Sequence, residues 1–235
     1  MIDLPQIQVV PRDPAIPPAG RDQIFSRQLE LGIKLVVLLA FLSFPALVAF
    51  AVWREHSYQA LGEPVAQPIP FSHKHHVGDD GIDCRYCHTQ VETSRHAGLP
   101  GSSICLTCHS QLFTDAEVLR PLMESARTGQ PIAWRRVHTL PDFVFFDHSV
   151  HVAKGVACFE CHGRIDQMPI TWRAQPLQMQ WCLACHRNPA PHLHPPGEVF
   201  AMPPRTLTES QGEDLARLLK LESTRRLTDC STCHR

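Results

Sequence analysis

Phe146-Asp147-His148-Ser149-Val150-His151, then six residues, then Cys158-Phe159-Glu160-Cys161-His162: this stretch decides the fold. Its pattern is F-x-H-x-x-H followed by C-x-x-C-H. The same pattern occurs earlier, as Phe71-Ser72-His73-Lys74-His75-His76 and, seven residues on, Cys84-Arg85-Tyr86-Cys87-His88. A second C-x-x-C-H follows in each copy, after sixteen residues at Cys105/Cys108/His109 and after nineteen at Cys182/Cys185/His186. A fifth unit, Cys230/Cys233/His234, stands alone. Together the five units use all ten cysteines of the chain.

C-x-x-C-H is the attachment pattern of c-type haem. Two thiols three residues apart reach the two vinyl groups of a porphyrin, and the adjacent histidine sits under the iron as proximal ligand. Zinc ribbons and dithiol redox sites also use C-x-x-C, but neither needs a histidine after every second cysteine. A disulfide framework would not produce that spacing either. Five units with no cysteine left over predict five c-type haems. The proximal ligands are then His88, His109, His162, His186 and His234. Haem c is attached outside the cytoplasm, so the part carrying the units is expected to be periplasmic or its equivalent.

In F-x-H-x-x-H the two histidines are three apart, on one face of a helical turn. So placed, they can serve two neighbouring haems. His73, His76, His148 and His151 are therefore the expected distal ligands of four irons. His75 has no counterpart in the second copy, where Val150 stands, and is expected to face solvent or a propionate. For the fifth iron the candidates are Met202, favoured, and His138, second, with Met168 and Met179 further off. The choice matters, because a Met/His pair raises the potential and a His/His pair keeps it low. Arg85, Arg95, Arg135, Arg136, Arg164, Arg173 and Arg187 lie near the units and are of the right type to pair with propionates.

The remaining composition agrees. There are 22 Lys and Arg against 23 Asp and Glu, which excludes a strongly basic nucleic-acid binder and an acidic solvating tail. Proline is frequent, at 21 residues, and aromatics are scarce, at 7%. Such a chain builds few long elements and needs something besides side chains to fill its interior. The fold class expected is a single N-terminal transmembrane helix plus a multihaem cytochrome c domain, mostly loops and short helices packed around five covalent haems.

The transmembrane helix is read at 35–53, an apolar run broken only by Ser43 and Pro45. It is long enough to cross a bilayer core. Arg21, Arg27 and Lys34 precede it, which places the N-terminus in the cytoplasm. Ala49-Phe50-Ala51 resembles a signal-peptidase site, but the long preceding region favours a retained anchor in the inner membrane. Residues 1–34 are then a cytoplasmic arm and 54–70 a linker. Residues 71–113 form the first di-haem module, 114–145 a connecting segment and 146–190 the second module. Residues 191–235 supply a Pro-rich loop, a helix and the fifth haem. In the connecting segment, Thr114 and Glu117 suggest a capping box and Gly129 a stop, with Pro121 forcing a kink or a late start. Near the end, Ser210 and Glu213 suggest a capping box for a helix over 209–226.

Three stretches carry a family resemblance. They are Phe71–His88 (FSHKHHVGDDGIDCRYCH), Arg136–Met168 (RVHTLPDFVFFDHSVHVAKGVACFECHGRIDQM) and Met179–Asn188 (MQWCLACHRN). They resemble the pentahaem cytochrome c subunit of alternative complex III over roughly residues 31–190. The resemblance implies a membrane quinol:electron-acceptor oxidoreductase. Its partners would be a multi-span quinol-binding subunit, an iron–sulfur subunit and a monohaem cytochrome or other periplasmic electron acceptor, with no nucleic acid involved. In that setting the chain is an electron-transfer subunit and has no catalytic residue of its own. Two other functions compete. One is a stand-alone quinol dehydrogenase, for which His56 is the sole histidine beside the anchor. The other is a multihaem reductase, which needs one iron left open to substrate.

Overall fold

The computed structural model describes residues 25–58 and 61–235, with side chains 55–58 left aside. Residues 1–24, most of the expected arm, and the His56 side chain lie outside the described residues. The chain divides into two compact units, one up to Tyr58 and one from Gln59.

The first unit is a helix, α1, Arg27–Tyr58. It is longer than the apolar run at both ends, because the flanking Arg, Gln, Glu and Lys are good helix formers. Lys34 pairs with Glu30 one turn away, at 2.6 Å. The stretch Arg27–Arg54 contains an eighteen-residue run of mean hydropathy 2.7, and no residue of that run is buried. At 1.5 Å per residue that stretch is about 42 Å long, more than a hydrocarbon core requires. It is long and apolar enough to cross a membrane. Pro45 sits inside it without ending it, which membrane-type helices tolerate.

The second unit has short helices and almost no pairing between strands. The helices are α2 (Cys84–Cys87), α3 (Ser102–His109), α4 (Arg120–Thr128), α5 (His148–Ala153), α6 (Cys158–His162), α7 (Met179–Arg187), α8 (Glu209–Leu218), α9 (Thr224–Leu227) and α10 (Cys230–Cys233). Isolated bridges join Leu61 to Arg173, Val144 to His234 and Val156 to Leu193. Among the described residues the buried apolar side chains are Ile69, Val91, Leu122, Ala157, Met168, Leu193 and Val199. So small a set is far below what a domain of this size needs for a side-chain core.

Each C-x-x-C-H unit is a helical turn. Three begin at the first cysteine, and two of those are capped by the preceding aspartate. Asp83 accepts from Arg85 N at 2.8 Å and Asp229 from Ser231 N at 2.9 Å. One turn puts both thiols and the following histidine on the same side of the chain.

Two expected helices have their caps corrected, and the late start expected of the first is present. The connecting helix starts at Arg120 after a 3₁₀ turn over Glu117–Leu119, with Pro121 in its first turn, so Thr114 caps nothing. Gly129 ends it as expected, at φ 71°. The helix at 209–226 is two helices. The cap is Thr208 with Gln211, not Ser210 with Glu213, and Lys220, at φ 50°, breaks the run after α8. Gly212 explains the earlier start. A Cβ there would lie 2.3 Å from the Ala190 carbonyl oxygen, so this turn lies flat on residues 190–192.

Candidate metal centres

The two F-x-H-x-x-H turns place their histidines alike. Phe71 stands edge-on to His73 at 4.9 Å and stacks on His76 at 4.5 Å. Phe146 does the same to His148 at 4.8 Å and His151 at 4.6 Å. Each phenyl ring thus fixes two imidazoles, one on its edge and one on its face.

Every one of these four rings then faces a C-x-x-C-H histidine. His73 and His88 have ring centroids 6.5 Å apart with planes 10° from parallel. His148 and His162 repeat those values, 6.5 Å and 10°. His76 faces His109 at 6.2 Å, and His151 faces His186 at 6.2 Å. An iron held between two imidazoles by bonds of about 2 Å sets their centroids about 6 Å apart. The separations fit.

The other ring nitrogen is occupied in almost every case. Nδ1 of His73 meets Thr171 Oγ1 at 3.0 Å, and that of His76 meets the Ser72 carbonyl at 2.9 Å. Nδ1 of His88 points to the Gly98 carbonyl at 2.7 Å, and that of His109 to the Leu112 carbonyl at 3.1 Å. In the second module His148 uses the Arg95 carbonyl at 2.8 Å, His151 the Asp147 carbonyl at 2.7 Å and His186 the Leu227 carbonyl at 2.8 Å. An N–H donated to a carbonyl directs Nε2, with its lone pair, toward the opposing ring. His162 is the exception, its Nδ1 buried without a partner.

Ligation also needs neutral imidazole. Burial first, then neighbouring imidazoles, pushes His73 down to about 4 and His162 down to about 3. His151 is lowered too, chiefly by burial. These rings are uncharged at neutral pH.

The fifth unit is different. Phe143 stacks on His234 at 5.8 Å, and among the described residues no imidazole is paired with it. Its Nδ1 is 3.3 Å from the Phe143 carbonyl. Met202 lines a cavity of 260 Å³ with Cys84, Asp166 and Phe200. His138 packs edge-on against His162, at 4.4 Å. The structure thus sets Met202 beside the first unit and His138 beside the third. Met168 is buried core, Met179 is exposed, and His75 is exposed beside Asp80 at 3.5 Å.

Haem can be tested against these residues. All ten cysteines are free thiols. Nε of Arg95 is buried without a partner while its guanidinium stacks on Phe145 at 4.3 Å, as suits a propionate-binding arginine. Arg85 and Arg164 are already engaged two-pronged, by Asp83 and Asp166. The residues fit covalent haem with two axial imidazoles at four of the units.

One functional contact was missed in the sequence. Glu160, inside the third unit, takes hydrogen bonds from His192 at 2.7 Å and His194 at 3.1 Å. Burial pushes its carboxyl up, and the two histidines more than reverse this, so it is held below its usual range. The Pro-rich loop is thereby fastened to the third unit. Gly155, at φ 77°, lets the loop in: a Cβ there would meet the His194 carbonyl oxygen at 2.6 Å. The recurrence of histidine at 192 and 194 was the available signal.

Residues 144–235, which carry the third, fourth and fifth units, match the family described as cytochrome c7 and related cytochrome c. With helices and loops around repeated C-x-x-C-H turns, this is a multihaem cytochrome c domain. The chain is also similar to the menaquinone reductase multiheme cytochrome c subunit of Nitratidesulfovibrio vulgaris (strain Hildenborough). The two are 41% identical over 97 residues, 41% of this chain and 45% of the relative. The chain thus spans less than half the length of the curated relative it matches.

Proposed function

We propose that this chain is a membrane-anchored pentahaem c-type cytochrome that relays electrons from quinol oxidation to a periplasmic acceptor. It does so as the cytochrome subunit of a quinol:electron-acceptor oxidoreductase of the alternative complex III type. The observation that carries this reading is the set of four opposed imidazole pairs at 6.2–6.5 Å. An iron closed on both sides exchanges electrons and binds no substrate.

The residues take these roles. Cys84/Cys87, Cys105/Cys108, Cys158/Cys161, Cys182/Cys185 and Cys230/Cys233 hold five haems by thioether bonds. His88, His109, His162, His186 and His234 are the proximal ligands. His73, His76, His148 and His151 close the first four irons, each held by the carbonyl or hydroxyl at its Nδ1. Haem would supply the one-electron chemistry; the chain fixes ring orientation, and burial keeps His73, His151 and His162 neutral. No residue is assigned to the distal side of the fifth iron, because among the described residues Met202 lies beside the first unit and His138 beside the third. The helix α1 anchors the haem domain on the periplasmic side of the inner membrane. The partners are a multi-span quinol-binding subunit, an iron–sulfur subunit and a monohaem cytochrome or other acceptor.

A second reading has a specific support. The relative is a subunit of a menaquinone reductase, which runs electrons toward the quinone. The same wire serves both directions. The test is to solubilise the membranes gently, isolate the haem-bearing complex, identify its subunits by mass and mix it with quinol and with quinone. Haem reduction by quinol, with multi-span and iron–sulfur subunits present, supports the first reading. Haem oxidation by menaquinone with no reduction by quinol supports the second. A chain that travels alone yet is reduced by quinol makes it a stand-alone quinol dehydrogenase.

A further inference from the structure

The order of the five units in space differs from their order along the chain. The first and second units meet where Tyr86, between the cysteines of the first, hydrogen-bonds Thr107, between those of the second, at 2.7 Å. The first unit meets the third at residues 199–200, where Arg85 of the first lies over the Phe200 ring at 4.5 Å and Cys158 N of the third donates to the Val199 carbonyl at 3.1 Å. The third meets the fourth at the single turn of α5, where His148 faces His162 and His151 faces His186. The fourth meets the fifth where His186 Nδ1 donates to the carbonyl of Leu227, three residues before Cys230, at 2.8 Å.

Each of the three inner units therefore has a neighbouring unit on either side. The end units are the second, which carries Cys108, and the fifth, which carries Cys230. These are the two exposed cysteines of the ten; the other eight are half-buried. The axial histidines trace the same path. His73 and His76, on one turn, join the first and second units, and His148 and His151 join the third and fourth.

We infer that the five haem sites form a single unbranched line in the order second, first, third, fourth, fifth, with the second and fifth units as the two ends where electrons enter and leave. The inference rests on the haem reading above and deepens it. The two modules join back to back at the first and third units, so the wire runs outward from a centre shared by both. One electron taken from a reduced donor at one end leaves to an oxidised acceptor at the other. No proton moves and no bond forms or breaks along the line. Any partner that exchanges electrons with this chain must dock at α3 or at α10, and not at α2, α6 or α7.

The experiment is iron-edge anomalous diffraction, or a density map, of the holoprotein purified from its own membranes. Five irons are expected, with the first and third units' irons adjacent and the second and fifth each having one near neighbour. The line is overturned if the second or fifth iron lies between two others, or if the fifth is nearest to the first or second. Fewer than five irons would sink the haem reading itself, and the line with it.

Discussion

The two di-haem modules keep their axial pairs, with the phenylalanine and backbone carbonyl that hold them, and differ in the turns and loops around them. The first pair of each has the same centroid distance and tilt, 6.5 Å and 10°. Yet the first module has seven residues between its second distal histidine and its cysteine, and the second has six. The extra residue is absorbed by a wide π turn over Lys74–Asp79 where the second module has the α-helix His148–Ala153. A π turn is an α turn with one residue inserted, and such insertions cluster at functional sites. Gly78 lets the widened turn lie against Asp166, whose carbonyl oxygen would be 2.3 Å from a Cβ there. Iron geometry tolerates no shift, whereas the loop that delivers it can change.

The largest break in the comparison comes from removing a haem. Cys105→Ser with Cys108→Ser takes away an end unit, and four haems and a folded domain are expected to remain. Cys158→Ser with Cys161→Ser takes away the unit that joins the modules. With so few buried side chains, that variant is expected to lose more than one haem and become protease-sensitive. Haem per chain and limited proteolysis read both. Equal losses from the two variants would mean that the modules do not depend on a centre.

The next difference is electronic. His88 donates to the Gly98 carbonyl, which makes it a stronger ligand and favours ferric iron. His162 has no such acceptor and has His138 packed on it instead. The third unit's potential is expected to lie above the first's by tens of millivolts, small against the roughly 0.8 V that axial ligands span. A redox titration followed by electron paramagnetic resonance checks it, with assignment from His73→Met and His148→Met, each of which raises one potential. The same spectra test the fifth unit, to which no distal ligand is assigned. One high-spin iron that binds cyanide in the oxidised isolated chain would leave it without one, and five low-spin irons would give it one.

How much of this was legible in the sequence depended on distance along the chain. His73, His76, His148 and His151 could be read because a helical turn is local, and ligand type and spacing lie within one turn. The fifth unit could not be read that way. Met202 and His138 were candidates by residue type and nearby sequence, and the structure sets them beside the first and third units. The capping box of α8 shows a finer limit. Thr208-Glu-Ser-Gln211 and Ser210-Gln-Gly-Glu213 overlap, and local chemistry suits both. The close approach of Gly212 to Ala190 decides between them, and that is a tertiary contact. Glu160 and its two histidines are some thirty residues apart, beyond any local pattern.

That clamp belongs to the second module alone, because the corresponding residue of the first is Tyr86. Glu160→Gln is expected to cost about 2 kcal/mol, the scale of hydrogen bonds to a charged group. His192 gives the pH dependence. Its pKa is raised by the hydrogen bond with Glu160, with burial opposing. A raised folded value means that the contribution is complete below the unfolded value of about 6.5 and fades as pH rises through the raised one. Solvent reaches His192, so the loss between pH 6 and pH 8 is expected to be roughly 0.5–1 kcal/mol. Denaturant titration at the two pH values measures it, and His192→Gln should flatten the difference. If the variant keeps the full slope, another group carries it.

The smallest effect separates the two turns at their first residue. Asp147 caps α5, accepting from Ser149 N at 2.9 Å and Val150 N at 3.4 Å. At the same place the first module has Ser72, whose hydroxyl accepts from His75 N at 3.1 Å. A carboxylate is the stronger acceptor and also faces the positive end of the helix. Asp147→Ala is expected to cost about 1 kcal/mol and Ser72→Ala about half of that. In both variants the backbone carbonyl of the mutated residue still holds the second histidine, His151 or His76. Stability should therefore fall while the haem spectra stay unchanged. A spectral change in Asp147→Ala would show that the cap sets the angle of His148 as well as the stability of its turn.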